Sequence, residues 1–366
     1  MDDLIVEKRA HALCITINRP HALNALSRAC VDGARTALAR AGDDPTISVI
    51  TIRGAGDRAF CAGGDVRAVH DLLAANDIDS ALEFFTREFA LNAELAAFAS
   101  RKASVAIWNG IVMGGGAGVS CYCNVRVCTE RTTFAMPECA IGLWPDVGAA
   151  WFLHRDVGHA FATYLSLTGA RVRGYECKIV GLATHYVELS HWERNVAHKV
   201  EALGEGCRAE DVAATVSALE SRAPGDFAAS YGASDEGRCA IEDVFGNDRR
   251  KTVEDILREI DVRRSTARND GERGFWSEAS TSMRKASPTS LAVSLELMRR
   301  ARGQSLEWSL ATDNVLIRKF LVGDDFKRGV DAMLIKKTGA PPTEGWSPTS
   351  ARVVDDYFAG APESKL

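Results

Sequence analysis

No stretch of this 366-residue sequence approaches the roughly 18 consecutive apolar residues that a membrane-spanning helix needs. Charge of one sign is lacking too. The 44 basic and 49 acidic residues leave a net charge of −5, too mild a field to draw the molecule to nucleic acid or to an anionic membrane. Neither partner is expected, and any anionic ligand must be handled locally. The opening Met1-Asp2-Asp3 is too acidic for a secretory or mitochondrial leader, so the N-terminus reads as mature. Internal repeats, low-complexity tracts and C-x-x-C pairs are all absent. Ten cysteines are scattered along the chain. Even where Cys121, Cys123 and Cys128 cluster, no suitably spaced histidine accompanies them, so free buried thiols are expected and no metal.

What is present is an ordinary globular composition, 46% hydrophobic and 25% charged, on a chain long enough for one large domain with an appendage or for two intimate domains. Alternation of apolar and polar residues predicts a strand at 13–18, and further strands are expected at 48–53, 105–108, 125–129 and 133–135. Pro20 to Asn24 reads as a turn, and Ser27 as the cap of a helix running to about Ala41. A longer helix is expected from Ile78 to about Ser100. Glycine-bearing loops at 54–64 and 109–114 each leave a strand and enter a helix. This repetition of strand, strand and helix predicts an α/β fold, a spiral of repeated ββα units, over residues 1–190. Residues 191–366 read as mostly helical, with a charged break at Gly246 to Lys251, helices opening at Ser287-Pro288 and Ser305, and an irregular tail around Pro341-Pro342.

Three stretches carry chemistry. In Ala62-Gly63-Gly64-Asp65, glycines precede a helix start whose N-terminal carboxylate is Asp65, and their backbone N–H groups suit an oxygen that becomes negative. A simple capped turn has the same signature. In Gly114-Gly115-Gly116-Ala117-Gly118 the backbone is again bare, which suits close approach of a ligand or equally tight helix packing. Two such turns could present two donors to one oxyanion. In residues 134–148, Glu138 and Asp146 are acidic islands in an apolar stretch. Burial there would separate them into an acid and a base, unless each merely caps a helix, Asp146 at the start of 147–153.

Together these stretches resemble the crotonase (enoyl-CoA hydratase/isomerase) superfamily, and within it the branch that hydrolyses short 3-hydroxyacyl-CoA thioesters. The likeness extends from Leu23-Asn24-Ala25-Leu26, through F-A-M-P-E-C-A-I-G-L-W-P-D-V-G at 134–148 and A-T-H-Y-V at 183–187, to S-P-T-S-L at 287–291 and D-D-F-K-R-G-V-D-A-M-L-I at 324–335. The stretch from about 191 to 285 matches poorly. The resemblance implies an acyl-CoA substrate, 3-hydroxyisobutyryl-CoA in valine catabolism, and no cofactor beyond the coenzyme A of the substrate itself. It implies oxyanion donors at Gly64 and Gly115, catalytic carboxylates at Glu138 and Asp146, and substrate contacts at Ala62, Gly63, Asp65 and Gly114. Glu88 is implied as an acceptor for a substrate hydroxyl. Typical hydratases carry a second glutamate where this chain has Gly118, which makes hydration across a double bond, or isomerisation, the lesser alternative. A non-catalytic binding protein of the same fold is a further one. An oligomer is compatible with the superfamily, as is coverage of the same surface by the C-terminal half. The last three residues, Ser364-Lys365-Leu366, form the address read by the peroxisomal import receptor, so a peroxisomal location is expected, with the cytoplasm as the alternative.

Overall fold

The computed structural model describes residues 2–225, 227–246, 251–338 and 345–364. The expected charged break lies outside them at residues 247–250, as do Pro341-Pro342 of the irregular tail and the terminal Lys365-Leu366. The chain divides into two compact units that interleave along the sequence. One comprises residues 1–65, 87–134 and 172–227, the other 66–86, 135–171 and 228–366.

The first unit is built on ten strands: β1 (Leu4–Arg9), β2 (Ala12–Ile17), β3 (Val49–Gly54), β4 (Ala59–Cys61), β5 (Ala103–Trp108), β6 (Ile111–Met113), β7 (Val125–Cys128), β8 (Thr133–Ala135), β9 (Val172–Arg173) and β10 (His185–Tyr186). Six form a sheet in the order β1-β2-β3-β5-β7-β10, and four form a second sheet in the order β4-β6-β8-β9. In the larger sheet β2, β3, β5, β7 and β10 run parallel, while β1 is an antiparallel edge. Every residue of β2 and β5 is buried, so β2 is covered on both faces although its sequence alternates apolar and polar residues. One face is covered from Trp192, Val196, Val200, Val212 and Val216, so part of the helical second half of the sequence closes the sheet core. Strand-strand-helix units do recur in chain order. β3 and β4 precede the helix Val66–Ala74, and β5 and β6 precede the single turn Gly115–Gly118.

The second unit is helical. At its centre the helix His159–Thr168 is buried from Ala160 to its end, and the helices Ala149–Val157, Asp235–Phe245, Asp270–Lys285 and Pro288–Arg300 pack on it. An all-round apolar helix has no stable place except inside a bundle. Ser287 and Ser305 cap their helices as expected, accepting from Ser290 N–H and Trp308 N–H. Among the described residues, no helix is long and apolar enough to cross a membrane.

Candidate active site

In the first unit, parallel pairing of β4 with β6 sets Ala59 beside Ile111 and Cys61 beside Val112, so the chain leaves both strands at neighbouring points. The first exit is pinned to the Leu26 backbone: Leu26 N–H donates to Gly63 O at 2.8 Å and Asp65 N–H donates to Leu26 O at 2.9 Å. These bonds skip the Gly64 amide. Gly63 adopts φ +116°, a conformation open to glycine and strained for other residues. At the second exit Gly115 opens the four-residue turn Gly115–Gly118, so its N–H has no carbonyl behind it. Among the described residues, neither the Gly64 nor the Gly115 amide has a hydrogen-bond acceptor.

The two amides converge. A Cβ placed on Gly115 would stand 3.0 Å from Gly64 N, and one placed on Gly63 would stand 3.7 Å from Gly115 N. The same Cβ on Gly115 would lie only 2.1 Å from Oε1 of Glu88, so any side chain at 115 would have to push the Glu88 carboxyl aside. Glu88 sits on the helix Ile78–Ala99, is 2% exposed, and its Oε1 has no hydrogen-bond partner. Burial without a counter-charge pushes its carboxyl up to about 8. At neutral pH Glu88 is therefore a neutral acid beside the amide pair, able to donate as well as accept. One helical turn on, Asn92 donates to Gly118 O at 2.9 Å and ties the turn to the helix. Sequence reading missed Asn92, although its i, i+4 spacing from Glu88 places both on one face.

Ala62, Gly63, Gly64, Glu88, Gly114 and Gly115 are thus brought together within one unit. Asp65 is turned aside: its carboxylate meets Arg19 at 2.9 Å, and Arg19 in turn reaches Asp3 at 3.4 Å. That pairing makes Asp65 a fastener of the turn. Several basic side chains are spent on the protein itself: Lys102 donates to the carbonyls of Ala41, Asp44 and Ile47. Arg28 faces Asp32, and Lys336 faces Asp331.

In the second unit Glu138 and Asp146 are both buried, 6% and 5% exposed. Glu138 begins the 3-10 turn Glu138–Ile141, and Cys139 beside it fastens that turn in two directions. Cys139 O accepts from Ser287 N–H at 3.1 Å, and its thiol donates to Ser166 O at 3.3 Å. Ser287 also donates to Asp325 at 2.5 Å, whose other oxygen accepts from Ser347 N–H. The helix-cap reading of Asp146 fails. The helix Ala149–Val157 starts two residues later than expected, its N-cap is Gly148, and no side chain caps it. Asp146 stands instead at the head of a tight turn in which Val147 has φ +52°. For a β-branched residue this costs about 1–3 kcal/mol and persists only where surroundings impose it. Ala149 N–H closes the turn onto Asp146 O at 2.9 Å, and Asp313, from the helix Leu306–Val322, braces it from outside. Asp313 accepts from Trp144 Nε1–H at 2.8 Å and from Gly148 N–H at 2.7 Å, one donor on each side of Asp146-Val147. Sequence reading missed Asp313. Its signal is an acid at helical spacing among the buried Leu310, Ile317 and Phe320.

With this arrangement in view, the comparisons with known proteins are decisive for kinship. The profile of the enoyl-CoA hydratase/isomerase family matches residues 12–360. The chain belongs to that family. Within the enoyl-CoA hydratase/isomerase family it is similar to proteins named "3-hydroxyisobutyryl-CoA hydrolase, mitochondrial" from Danio rerio and Mus musculus. The first is 33% identical over 97% of this chain and 88% of the relative, the second 35% identical over 100% and 90%. Its fold is the family's crotonase fold. The solved structure of a carnitinyl-CoA dehydratase from Mycobacterium thermoresistibile superposes with a TM-score of 0.81 at 31% identity, covering 98% of this chain and 96% of that one. The relatives' names also correct one expectation. They are mitochondrial, which overturns the peroxisomal location read from Ser364-Lys365-Leu366. Ser364 is moreover tied into the second unit, its hydroxyl donating to Arg300 O at 3.1 Å, while Trp308 donates to the carbonyls of Pro362 and Glu363.

Proposed function

We propose that the chain hydrolyses a short 3-hydroxyacyl-CoA thioester, with 3-hydroxyisobutyryl-CoA as the substrate, to the free acid and coenzyme A. The observation that carries this reading is the convergent pair of unspent amides at Gly64 and Gly115, in a chain akin to hydrolases of that thioester. Carbonyl oxygen gains charge as a nucleophile adds to the thioester carbon. Two fixed N–H donors stabilise that oxyanion more than they do the ground-state carbonyl.

Glu138 delivers the oxygen nucleophile. Two routes are open to it: removing a proton from water, or attacking the carbonyl directly to give a mixed anhydride that water then cleaves. Asp146 supplies the proton that the departing thiolate takes up. Glu88, neutral beside the amides, recognises the 3-hydroxyl of the acyl chain. Hydration has less support, because Gly118 brings no second carboxylate.

Thiol release across a panel of short acyl-CoAs, with and without a 3-hydroxyl, tests reaction and specificity together. Fast release from 3-hydroxyisobutyryl-CoA is expected, with slower release from the deoxy analogue. Hydration of crotonyl-CoA without thiol release would replace this reading with a hydratase, and inertness toward every thioester would replace it with a binding protein. Single-turnover hydrolysis in heavy-oxygen water separates the two routes, since only direct attack places solvent oxygen in Glu138.

A further inference from the structure

Nothing in the proposed chemistry uses Asp313, yet it is a carboxylate with 1% exposure in the interior of a helical unit. A buried carboxylate is costly unless its oxygens are fully engaged. Both oxygens here accept short bonds, and their donors belong to one five-residue segment, Trp144 and Gly148. That segment holds Asp146 at its centre. The same helix grips it a second time, for the Trp144 ring stacks on Phe320 with centroids 4.8 Å apart. Without Asp313 the turn keeps the bond from Ala149 N–H to Asp146 O at 2.9 Å but loses the bridge that joins its two ends, Trp144 and Gly148.

We propose that Asp313 is a positioning residue: by bridging Trp144 and Gly148 it fixes the direction of the Asp146 carboxylate. The inference rests on the reading of Asp146 as the acid of the thioester hydrolysis. Asp313 touches no substrate and acts through Asp146. A change that keeps size but spoils the bridge is Asp313→Asn, whose amide nitrogen would face one of the two N–H donors. Trp144→Phe removes one donor and keeps the stacking ring.

Steady-state hydrolysis of 3-hydroxyisobutyryl-CoA by Asp313→Asn, Trp144→Phe, Asp146→Asn and the double variant Asp313→Asn/Asp146→Asn tests this, with thermal unfolding measured on each. Misplacing a reacting group by about 1 Å costs on the order of 10² in rate, so Asp313→Asn is expected to lose about that in kcat while KM stays within roughly two-fold. Trp144→Phe is expected to lose about ten-fold by keeping half of the bridge. On the Asp146→Asn background, Asp313→Asn is expected to cost nothing further, because coupled residues are non-additive. Near-normal kcat in both Asp313→Asn and Trp144→Phe, or a full additional loss in the double variant, overturns the proposal. Should Asp313→Asn fail to fold, Trp144→Phe decides between these outcomes. Retained activity in Asp146→Asn would sink the role of Asp146 itself, an outcome distinct from a harmless Asp313→Asn in an enzyme that needs Asp146.

Discussion

On the proposed reading, the two units fix reactive groups by opposite means. In the first, the groups are main-chain amides whose direction follows from the strands they leave; the β4–β6 pairing and the Leu26 clasp settle where Gly64 and Gly115 point. In the second, the groups are side-chain carboxylates on turns, and those turns are fastened by residues far along the chain, Asp313 and Ser287 among them. Backbone placement is indifferent to most side-chain changes but intolerant of any added Cβ. Side-chain placement is the reverse, since it can be lost by a single distant substitution.

Substitutions at the reactive groups should have the largest effects, and they sharpen the comparison. Glu138→Gln removes the nucleophile-activating carboxylate and is expected to lower kcat by 10² to 10⁴ with the fold intact, as thiol release and circular dichroism would show. Near-normal turnover would remove the carboxylates from the account. Gly115→Ala is expected to cost on the order of 10² to 10³ in kcat. Its methyl meets Glu88 Oε1 and crowds the Gly64 amide, so both partners of the cradle are displaced together.

A smaller effect appears in the pH profile. Glu88 is neutral below about 8, and above that its ionised form sets a negative charge beside the developing oxyanion. The plot of kcat/KM is therefore expected to fall as pH rises through about 8, and Glu88→Gln, which cannot ionise, should lose that limb. A limb that survives the substitution belongs to another group.

The smallest effect concerns stability, and here the two units agree in sign. Burial raises Glu88 from 4.5 to about 8 and Asp313 from 3.8 to about 7, so in both cases the folded protein holds its proton more tightly than the unfolded chain. Each contribution is complete below the unfolded value and is lost as pH rises through the folded one. Denaturant midpoints should thus decline from pH 4 toward pH 8. Glu88→Gln should flatten the upper part of that decline and Asp313→Asn the part ending near pH 7; a midpoint that climbs with pH in this window contradicts both assignments.

How much could be read beforehand follows the same division. β2 was legible from its alternation of apolar and polar residues, and β3, β5, β7 and β8 from short stretches of mostly apolar or β-branched residues. β4 and β6, three residues each, were hidden inside loops defined by their glycines, although they are the strands that aim the amides. β1 escaped because five of its six residues are exposed on an edge, and the helix Ala351–Tyr357 because none of its residues is buried. The amide positions were legible because an absence of side chains at a strand exit has few explanations. Glu138 and Asp146 stood out as charges among apolar neighbours. Asp313 and Asn92 did not, because a buried polar residue announces its cost but not its partner, and the partners of Asp313 lie 169 and 165 positions away.

The central claim is that two amides from separate strand exits act on one carbonyl oxygen. Infrared difference spectroscopy of carbonyl-labelled 3-hydroxyisobutyryl-CoA bound to Glu138→Gln, which holds the thioester without turning it over, reads this directly. Two donors on one oxygen should draw the carbonyl stretch to lower frequency than in water, and Gly115→Ala in the same background should release it. A stretch unchanged on binding, or indifferent to Gly115→Ala, would contradict the account.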